Sequence, residues 1–408
     1  MLKFTNYLTE QKNTHMEHLE DEVINNGVNG ARNAINFLRS LRDMLSGDTA
    51  SAIDATVKWD GAPAIFAGID PSDGQFFIAK KGIFNKNPKI YKTEAEIDGD
   101  ISGDLNTKFK LALKHLPELG IKSGVYQGDF LYSNDTVSKE RINGESVLTF
   151  HPNTIVYAVP TNSDLGKTIA KSKIGIVWHT TYEGDTCEGM KASFGKAISS
   201  GLKKSKNVWH SDATFKDVSG KATMTADETK QISSILSNAG KMFRKVDAKM
   251  LKTLSSDDAI QMRVKAHFNT KVRSGERIAN PRTHVNDLTI YVSQWWDKEI
   301  DKVKTAKSKE AKTALKKEQL KFFMKNKRGL ENMFTLMNYI IDAKEKIVAK
   351  MDQASTIDTL LKTTSGYEVT APEGYVAISR AGDAVKLVNR LEFSRANFSS
   401  DVIKGWQN

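Results

Sequence analysis

Residues 57–66 read VKWDGAPAIF, and this stretch decides how the sequence around it is interpreted. The run AIDATVKW ends just after Lys58, and a similar run, APAIFAGI, begins after Asp60-Gly61. Both runs are rich in β-branched and apolar residues, which favours strands, whereas Asp-Gly is typical of a turn. The stretch therefore predicts a lysine at the end of a strand, beside a tight turn.

Further strand-like runs lie on both sides of a long helical region. GQFFIAKKGIF, SGVYQGDFLY, TIVYAV and IGIVWHTTY occupy the chain up to residue 185, separated by Gly, Asp, Asn and Pro. From about residue 222 to 354 the apolar residues recur with helical spacing, and then GYEVTAP, EGYVAISR and GDAVKLVNRLEF restore strand character. The pattern predicts an α+β fold, in which an antiparallel-sheet domain is interrupted by a large α-helical insertion.

These changes of pattern divide the chain into four segments. Residues 1–50 are expected to form an N-terminal helical segment, because apolar residues recur at three- and four-residue steps between Ala31 and Leu45. The first part of the sheet domain is placed at 51–215, the helical insertion at 216–362 and the returning strands at 363–408. Such an insertion requires the two ends of the host domain to lie close together.

The positive charge of the chain is concentrated in the helical region. The net charge is +11, yet residues 241–350 alone hold 26 Lys and Arg against 13 Asp and Glu. A basic segment of this kind is typical of a surface that meets phosphates, so nucleic acid is the expected partner. The alternative is a solvated, lysine-rich helical face.

Several classes of protein are excluded by composition and motif. The single cysteine, Cys187, excludes an internal disulfide and a cysteine-rich zinc site, as expected in a reducing compartment. No apolar run approaches the roughly 20 residues of a membrane helix, and the N-terminus is too polar for a signal peptide. We therefore expect a cytoplasmic protein with no membrane partner. A P-loop, a dinucleotide fingerprint and a serine elbow are lacking from the sequence.

Lys58 carries the sharpest chemical hypothesis. A lysine held among apolar neighbours and other cations can lose its proton near neutral pH and attack an α-phosphate. A nearby glycine, Gly61, lets the backbone approach a nucleotide closely. Taken alone, the motif is weak, since a lysine at a strand end beside an ordinary turn has the same sequence.

The motif gains weight because three others come after it in order. They are Gly128-Asp129-Phe130, Glu373-Gly374-Tyr375-Val376 and Ala384-Val385-Lys386. Together with Lys58-Trp59-Asp60-Gly61, they resemble the ordered motifs of the covalent nucleotidyltransferase superfamily, which comprises ATP-dependent DNA and RNA ligases and mRNA capping enzymes. The resemblance covers roughly residues 51–185 and 365–400.

The resemblance implies a role for each matching residue. Lys58 would become the lysyl-nucleotide, and Lys386 would touch the α-phosphate. Asp129, which stands where the family usually has Glu, would reach the ribose, and Glu373 would engage phosphate and metal. Mg²⁺ would be held near Glu373 and Asp129, and ATP would be the nucleotide.

Further nucleotide-binding residues are implied around these motifs. Thr56 occupies a position where several relatives carry an acidic residue that reads the base, so the choice between ATP and GTP stays open. An aromatic ring is expected to stack on the base, and Tyr157 or Trp178 could supply it. The remaining expected contacts are Val57, Asp60, Gly61, Lys80 and Lys81.

The branch of the family is inferred from the short length of chain after the last motif. Only about 20 residues come after Lys386, too few for the C-terminal OB-fold that DNA ligases and capping enzymes use to grip substrate. Certain RNA ligases instead pair the core with a helical module. The resemblance therefore favours an ATP-dependent RNA ligase, closest to viral RNA ligases, that seals 5′-phosphate and 3′-hydroxyl ends in the host cytoplasm. The alternatives are a DNA ligase, a capping-type enzyme, or a nucleic-acid-binding or virion-associated protein with a decayed nucleotide pocket.

Four other patterns are interpreted without a catalytic or metal-binding role. Residues 15–22, HMEHLEDE, are expected to form an exposed polar helix and not a metal site. Trp295 and Trp296 are expected in a helical core. Glu188-Gly189 is discounted as an alternative to Glu373-Gly374 because no strand is expected after it. His179 alternates with apolar neighbours and is expected to face a cleft.

Overall fold

The computed structural model describes residues 17–47, 53–215, 221–354, 357–379, 384–392, 397 and 399–407. The expected helical segment at 1–50 is therefore described only in part, and His15 and Met16 lie outside the described residues. Eleven α-helices and fifteen strands lie wholly within the described ranges. The strands are β1 (Ile53–Lys58), β2 (Ala64–Ile69), β3 (Phe76–Ala79), β4 (Ile90–Tyr91), β5 (Val125–Ser133), β6 (Ser138–Ile142), β7 (Glu145–Phe150), β8 (Ile155–Pro160), β9 (Ile174–Glu183), β10 (Lys191–Phe194), β11 (Val208–Asp212), β12 (Asp358–Thr363), β13 (Gly366–Val369), β14 (Gly374–Ser379) and β15 (Ala384–Leu387).

The helices fall before, within and after the first block of strands. They are α1 (Glu22–Asn25), α2 (Gly27–Leu45), α3 (Glu94–Asp100), α4 (Gly103–His115), α5 (Asp164–Ile169), α6 (Ala226–Phe243), α7 (Ala248–Ser256), α8 (Asp258–Arg273), α9 (Pro281–Asp301), α10 (Ala306–Lys325) and α11 (Lys327–Asp352). Among the described helices, none is both long enough and apolar enough to cross a membrane.

Three sheets carry the strands. One has the order β1-β14-β15, a second has β10-β9-β5-β2-β3-β4 with β11 also on β9, and a third has β13-β12-β8-β7-β6. Every described ladder is antiparallel except that between β11 and β9. The expected α+β class with antiparallel sheets is thereby confirmed.

The three-stranded sheet joins the two ends of the chain. β1 pairs with β14 so that Thr56 lies opposite Val376, and Val376 in turn lies opposite Lys386 on β15. Alternate residues of a strand face opposite sides. Val57 and Tyr375 belong to one face, which packs on the helical core. Thr56, Lys58 and Lys386 therefore share the other face.

The helical region is built from two separate parts of the sequence. α2 packs against α6, α7 and α11, so the N-terminal helix belongs to the same body as the insertion.

Strand character returns at β12, which begins at Asp358 and pairs with β8, five residues before the expected boundary at 363. Trp296 is buried and donates a hydrogen bond to Gln319, and Trp295 packs beside it, which confirms the core interpretation of both rings.

The expectation of an exposed polar helix at residues 15–22 is wrong for the described residues 17–22. Glu20 and Asp21 are 1% and 2% exposed. The Lys344 amine lies 2.7 Å from Glu20 Oε2, and the Arg390 guanidinium lies 3.0 Å from Asp21 Oδ1. Burial by itself would raise the pKa of Glu20, but Lys344, His18 and Arg390 hold this pKa below its usual value. These acidic residues face inward because cations from the helices and from the segment after β15 pair with them.

Removal of one partner of the buried Glu20–Lys344 ion pair tests whether this pair stabilises the fold. Lys344→Met leaves a carboxylate in the core with fewer cations, and such changes cost roughly 3–5 kcal/mol. We expect the free energy of unfolding, measured by urea denaturation, to fall by about that amount. Lys346→Met is the matched control, because Lys346 is exposed on the same helix, and it should change stability by less than about 0.5 kcal/mol. Equal losses in both variants would contradict the assignment.

Candidate active site

Lys58 and Glu373 meet where β1 ends and β14 begins. The β1–β14 register sets Lys58 opposite Gly374, and the Lys58 amine forms an ion pair with the Glu373 carboxylate. Gly374 has a φ of +138°, and a Cβ there would lie 2.6 Å from the Leu387 carbonyl oxygen. Only glycine fits this position without strain. The Glu-Gly sequence thus has a physical reason, since the glycine allows the turn that presents Glu373 to Lys58.

Lys386 lies on the same sheet face, one strand beyond β14. Burial and the neighbouring Lys58 lower the pKa of the Lys386 amine, although Glu373 opposes them. The Lys386 backbone N–H donates to the carbonyl of Glu17, 3.0 Å away. The N-terminal segment that carries the buried acids therefore also holds the strand of Lys386.

Asp129 faces the lysine from the second sheet. Asp129 lies on β5 opposite Ala64 and Val177. A Cβ added at Gly61 would lie only 2.5 Å from the Cβ of Asp129. Gly61 is thus required for the turn after β1 to close against Asp129. Burial raises the pKa of the Asp129 carboxyl from 3.8 to about 7; Lys58 lowers this pKa, while Glu373 and Asp60 raise it further.

His179 also lies at this site, although the sequence was interpreted without a catalytic role for it. The β5–β9 register skips it between Gly128–Trp178 and Gln127–Thr180, so it is the extra residue of a β-bulge. Its Nε2 lies 4.0 Å from Asp129 Oδ1, and its Nδ1 lies 2.7 Å from the Thr180 hydroxyl. Burial and Lys58 lower the pKa of the His179 imidazole to about 4, so the ring is neutral near pH 7.

Asp60 holds the turn in place. Its Oδ2 accepts backbone hydrogen bonds from Thr154 (2.7 Å) and Ile155 (2.8 Å), and its Oδ1 accepts from the Asn153 amide (2.6 Å). Its own N–H donates to the Tyr157 hydroxyl at 2.7 Å. Both carboxylate oxygens are thus engaged by protein donors, which hold the Lys58 loop in position, and the expected nucleotide contact of Asp60 stays a prediction.

The two rings expected to stack on a base are both buried. Tyr157 is 3% exposed and packs between Trp59 and Phe150, with ring centroids 5.0 and 5.3 Å away. Trp178 is 1% exposed and packs in the core of the second sheet. Neither ring presents a face to a ligand, so the structure does not place a base on either of them. The strand patterns that suggested both rings mark core positions.

The four remaining expected contacts have different surroundings. The Val57 side chain faces the helical core, and its N–H donates to the Ala213 carbonyl at 2.6 Å. The Lys80 amine lies 2.9 Å from Asp100, which also binds Lys89 and Tyr91. Lys81 is exposed at the start of a 3-10 helix. Thr56, in contrast, shares the face of Lys58 and is 5% exposed.

A lysine that the sequence did not single out lies beside the turn. Lys108 on α4 is 3.5 Å from the carbonyl oxygen of Ala62 and 2.8 Å from Asp104. It could be found only once α4 was packed on the sheet.

Glu188-Gly189 was discounted because no strand was expected after it, and that reason is wrong, since β10 begins at Lys191. The strand pairing nevertheless gives Lys58 its partner in Glu373.

Glu373 and Asp129 offer carboxylate oxygens suited to Mg²⁺. Among the described residues, no ready-made group of three or more metal-ligating side chains is found. Mg²⁺ in nucleotide sites commonly takes one or two carboxylates and completes its shell with water and substrate phosphates. Glu373 and Asp129 could supply carboxylates of this kind.

The fold and the site define an α+β protein with a lysine–glutamate pair on the face of a three-stranded sheet that is turned away from the helical core. The chain belongs to a family of unknown function, DUF6267, whose model matches residues 13–402. No curated protein and no solved structure matches the chain. The matched range includes the sheets and the helices alike, so the helical region is part of the family's common unit.

The raised pKa of Asp129 predicts a pH-dependent stability. Between pH 4 and 7 the unfolded chain loses this proton while the folded chain keeps it, so the aspartate makes folding less favourable as pH rises through that window. Asp129→Asn should therefore increase the free energy of unfolding at pH 8, by at most about 4 kcal/mol, and leave it nearly unchanged at pH 4. Urea denaturation at a series of pH values measures this difference. A difference that does not vary with pH would refute the burial of the carboxyl.

Proposed function

We propose that the protein is an ATP-dependent polynucleotide ligase, with RNA as its substrate, that works through a covalent lysyl-AMP on Lys58. The observation that carries the proposal is the Lys58–Glu373 ion pair, with Lys386 on the same sheet face. Residues from the two ends of the chain form a group of the kind that phosphoryl transfer requires, namely a nucleophile, a base and a second cation. The resemblance of the four ordered motifs supports the same chemistry.

In the first step, the Lys58 amine attacks the α-phosphorus of ATP. A P–N bond forms, the bond from the α-phosphorus to the bridging oxygen breaks, and pyrophosphate leaves. The attacking amine must first give up a proton, and burial raises the pKa of the Glu373 carboxyl, which makes this paired side chain a suitable acceptor. Lys386 lies where it can offset charge that develops on the phosphorus.

In the later steps, the AMP passes from Lys58 to a 5′-phosphate end, and the lysine recovers its amine. A 3′-hydroxyl then attacks that end, forms the phosphodiester and releases AMP. Mg²⁺, held by Glu373 and Asp129, would offset the negative charge of the phosphates. Neutral His179, 4.0 Å from Asp129, would orient that carboxylate.

A second candidate is a nucleic-acid-binding protein that has lost nucleotide transfer. It is favoured by the engagement of Lys80 with Asp100 and by the burial of both Tyr157 and Trp178. The substitution of Asp129 for the usual glutamate points the same way. The two candidates differ in one property, since only a nucleotidyltransferase takes up a covalent nucleotide.

The test is incubation of the purified protein with Mg²⁺ and ATP labelled at the α-phosphate. We expect a covalent adenylate on Lys58 that is stable to base and labile to acid, as a P–N bond should be. Lys58→Arg should abolish labelling, because a guanidinium does not lose its proton at neutral pH. Lys167→Arg is the matched control, since Lys167 is exposed on α5 and 61% of its side chain is accessible.

Glu373→Gln keeps the shape of the site and removes the base. We expect the labelling rate to fall by about 10²–10³-fold, as is typical when one positioned charge is lost. Absence of label with every nucleotide and divalent metal would remove the ligase proposal in favour of the second candidate. Labelling without joining of RNA ends would leave a nucleotidyltransferase that modifies another acceptor.

A further inference from the structure

The lysines on and around α10 form a dense, largely exposed cluster of charge in the helical region. The segment from Lys298 to Arg328 contains twelve Lys and Arg residues against four Asp and Glu. Three of these lysines, Lys302, Lys312 and Lys316, pair with Glu299 or Asp297. Within the described residues, the other nine cations have no acidic partner: Lys298, Lys304, Lys307, Lys309, Lys317, Lys321, Lys325, Lys327, which bonds the neutral Asn286 amide, and Arg328.

One face of α10 collects several of these cations. Lys317, Lys321 and Lys325 succeed one another at four-residue steps, so they lie in a row along the helix, about 6 Å apart along its axis. Gln319 and Phe323, the buried residues of α10, are two positions further on and therefore point to nearly the opposite side. Lys307 lies on the same exposed face, about three turns earlier.

The packing of α10 leaves this face open. The helix contacts α9 and, less extensively, α11, and its remaining surface is exposed. A helix this polar gains little from core packing. Lysines that repel one another without acidic partners destabilise an isolated helix slightly. Their spacing is therefore better explained by an external anion than by the stability of the helix.

We propose that the Lys307–Lys317–Lys321–Lys325 face of α10 binds the sugar-phosphate backbone of the RNA strand that is joined. The proposal rests on the proposed ligase function for the identity of the strand. A row of cations at regular steps matches a row of phosphates along one strand. Counterion release from the strand supplies the favourable free energy.

The face contacts phosphates and does not read bases. Bases are recognised mainly by bidentate hydrogen bonds from Arg, Asn and Gln and by stacking on aromatic rings, whereas lysine can read only guanine. α10 contains no Arg or Asn, and its single Gln, Gln319, is buried. Binding at this face is therefore independent of base sequence, as suits an enzyme that must hold any strand next to its end.

The test compares two triple variants of the full chain. Lys317→Gln/Lys321→Gln/Lys325→Gln neutralises the proposed face. Lys241→Gln/Lys249→Gln/Lys252→Gln removes the same charge from exposed positions on α6 and α7. Binding of a 5′-phosphorylated single-stranded RNA is measured over a range of salt concentrations, with a scrambled RNA, a DNA of the same length and polyglutamate as further probes.

We expect the α10 variant to bind RNA at least about tenfold more weakly at low salt. The slope of log affinity against log salt should fall by about 2, as expected for the loss of three contacts to a single strand. The α6–α7 variant should bind like the unchanged protein, and scrambling the RNA should have no effect. Equal losses in both variants would overturn the proposal, as would polyglutamate binding as tightly as RNA.

Lysyl-adenylate formation separates this proposal from the ligase proposal. The α10 variant should take up labelled AMP at the normal rate, because its changes lie outside the nucleotide site, and should lose only strand joining. Loss of RNA binding at α10 in a protein that never takes up AMP would overturn the ligase function and leave the surface assigned. DNA bound as tightly as RNA would overturn the RNA assignment and keep the phosphate contact.

Discussion

The pairing of β1 with β14 is the constraint on which the site depends. These strands lie near opposite ends of the chain, and their register sets Lys58 opposite Gly374. The ion pair between Lys58 and Glu373 is a direct consequence of that register. A shift by one residue would turn Lys58 towards the helical core, because successive side chains of a strand face opposite sides. The helices that pack on the other face of this sheet therefore help to determine which side chains face the candidate site.

The second constraint is the cost of gathering charges in a partly buried place. Burial raises the pKa values of Asp129 and Glu373 and lowers that of Lys386, so each of these groups is less easily charged than it would be in water. A site of this kind reduces the stability of the fold and suits groups that exchange protons or meet a charged ligand. In the proposed ligase, ATP and its Mg²⁺ would replace the missing solvent.

The N-terminal segment connects this site to the helical region. Glu17 accepts a hydrogen bond from the backbone of Lys386, while Glu20 pairs with Lys344 of α11 and Asp21 pairs with Arg390. The same few residues therefore touch the sheet and the helices. Tyr375, which donates to Asp352 at the end of α11, provides a second link.

The sequence by itself determined the α+β class, the helical insertion and the order of the four motifs, because strand and helix periodicity and turn residues are local properties. The motifs also singled out Lys58 and Glu373, the two residues that form the ion pair. Only the tertiary structure decided what each side chain touches. Tyr157 and Trp178 have the same local pattern as rings that face a ligand, yet both are buried. Glu20 and Asp21 have the pattern of a solvated helix and are also buried. His179 reaches the site because it is the extra residue of a β-bulge. These outcomes depend on strand register and on partners far away in the chain, such as Lys344 and Arg390, and local patterns carry no information about either.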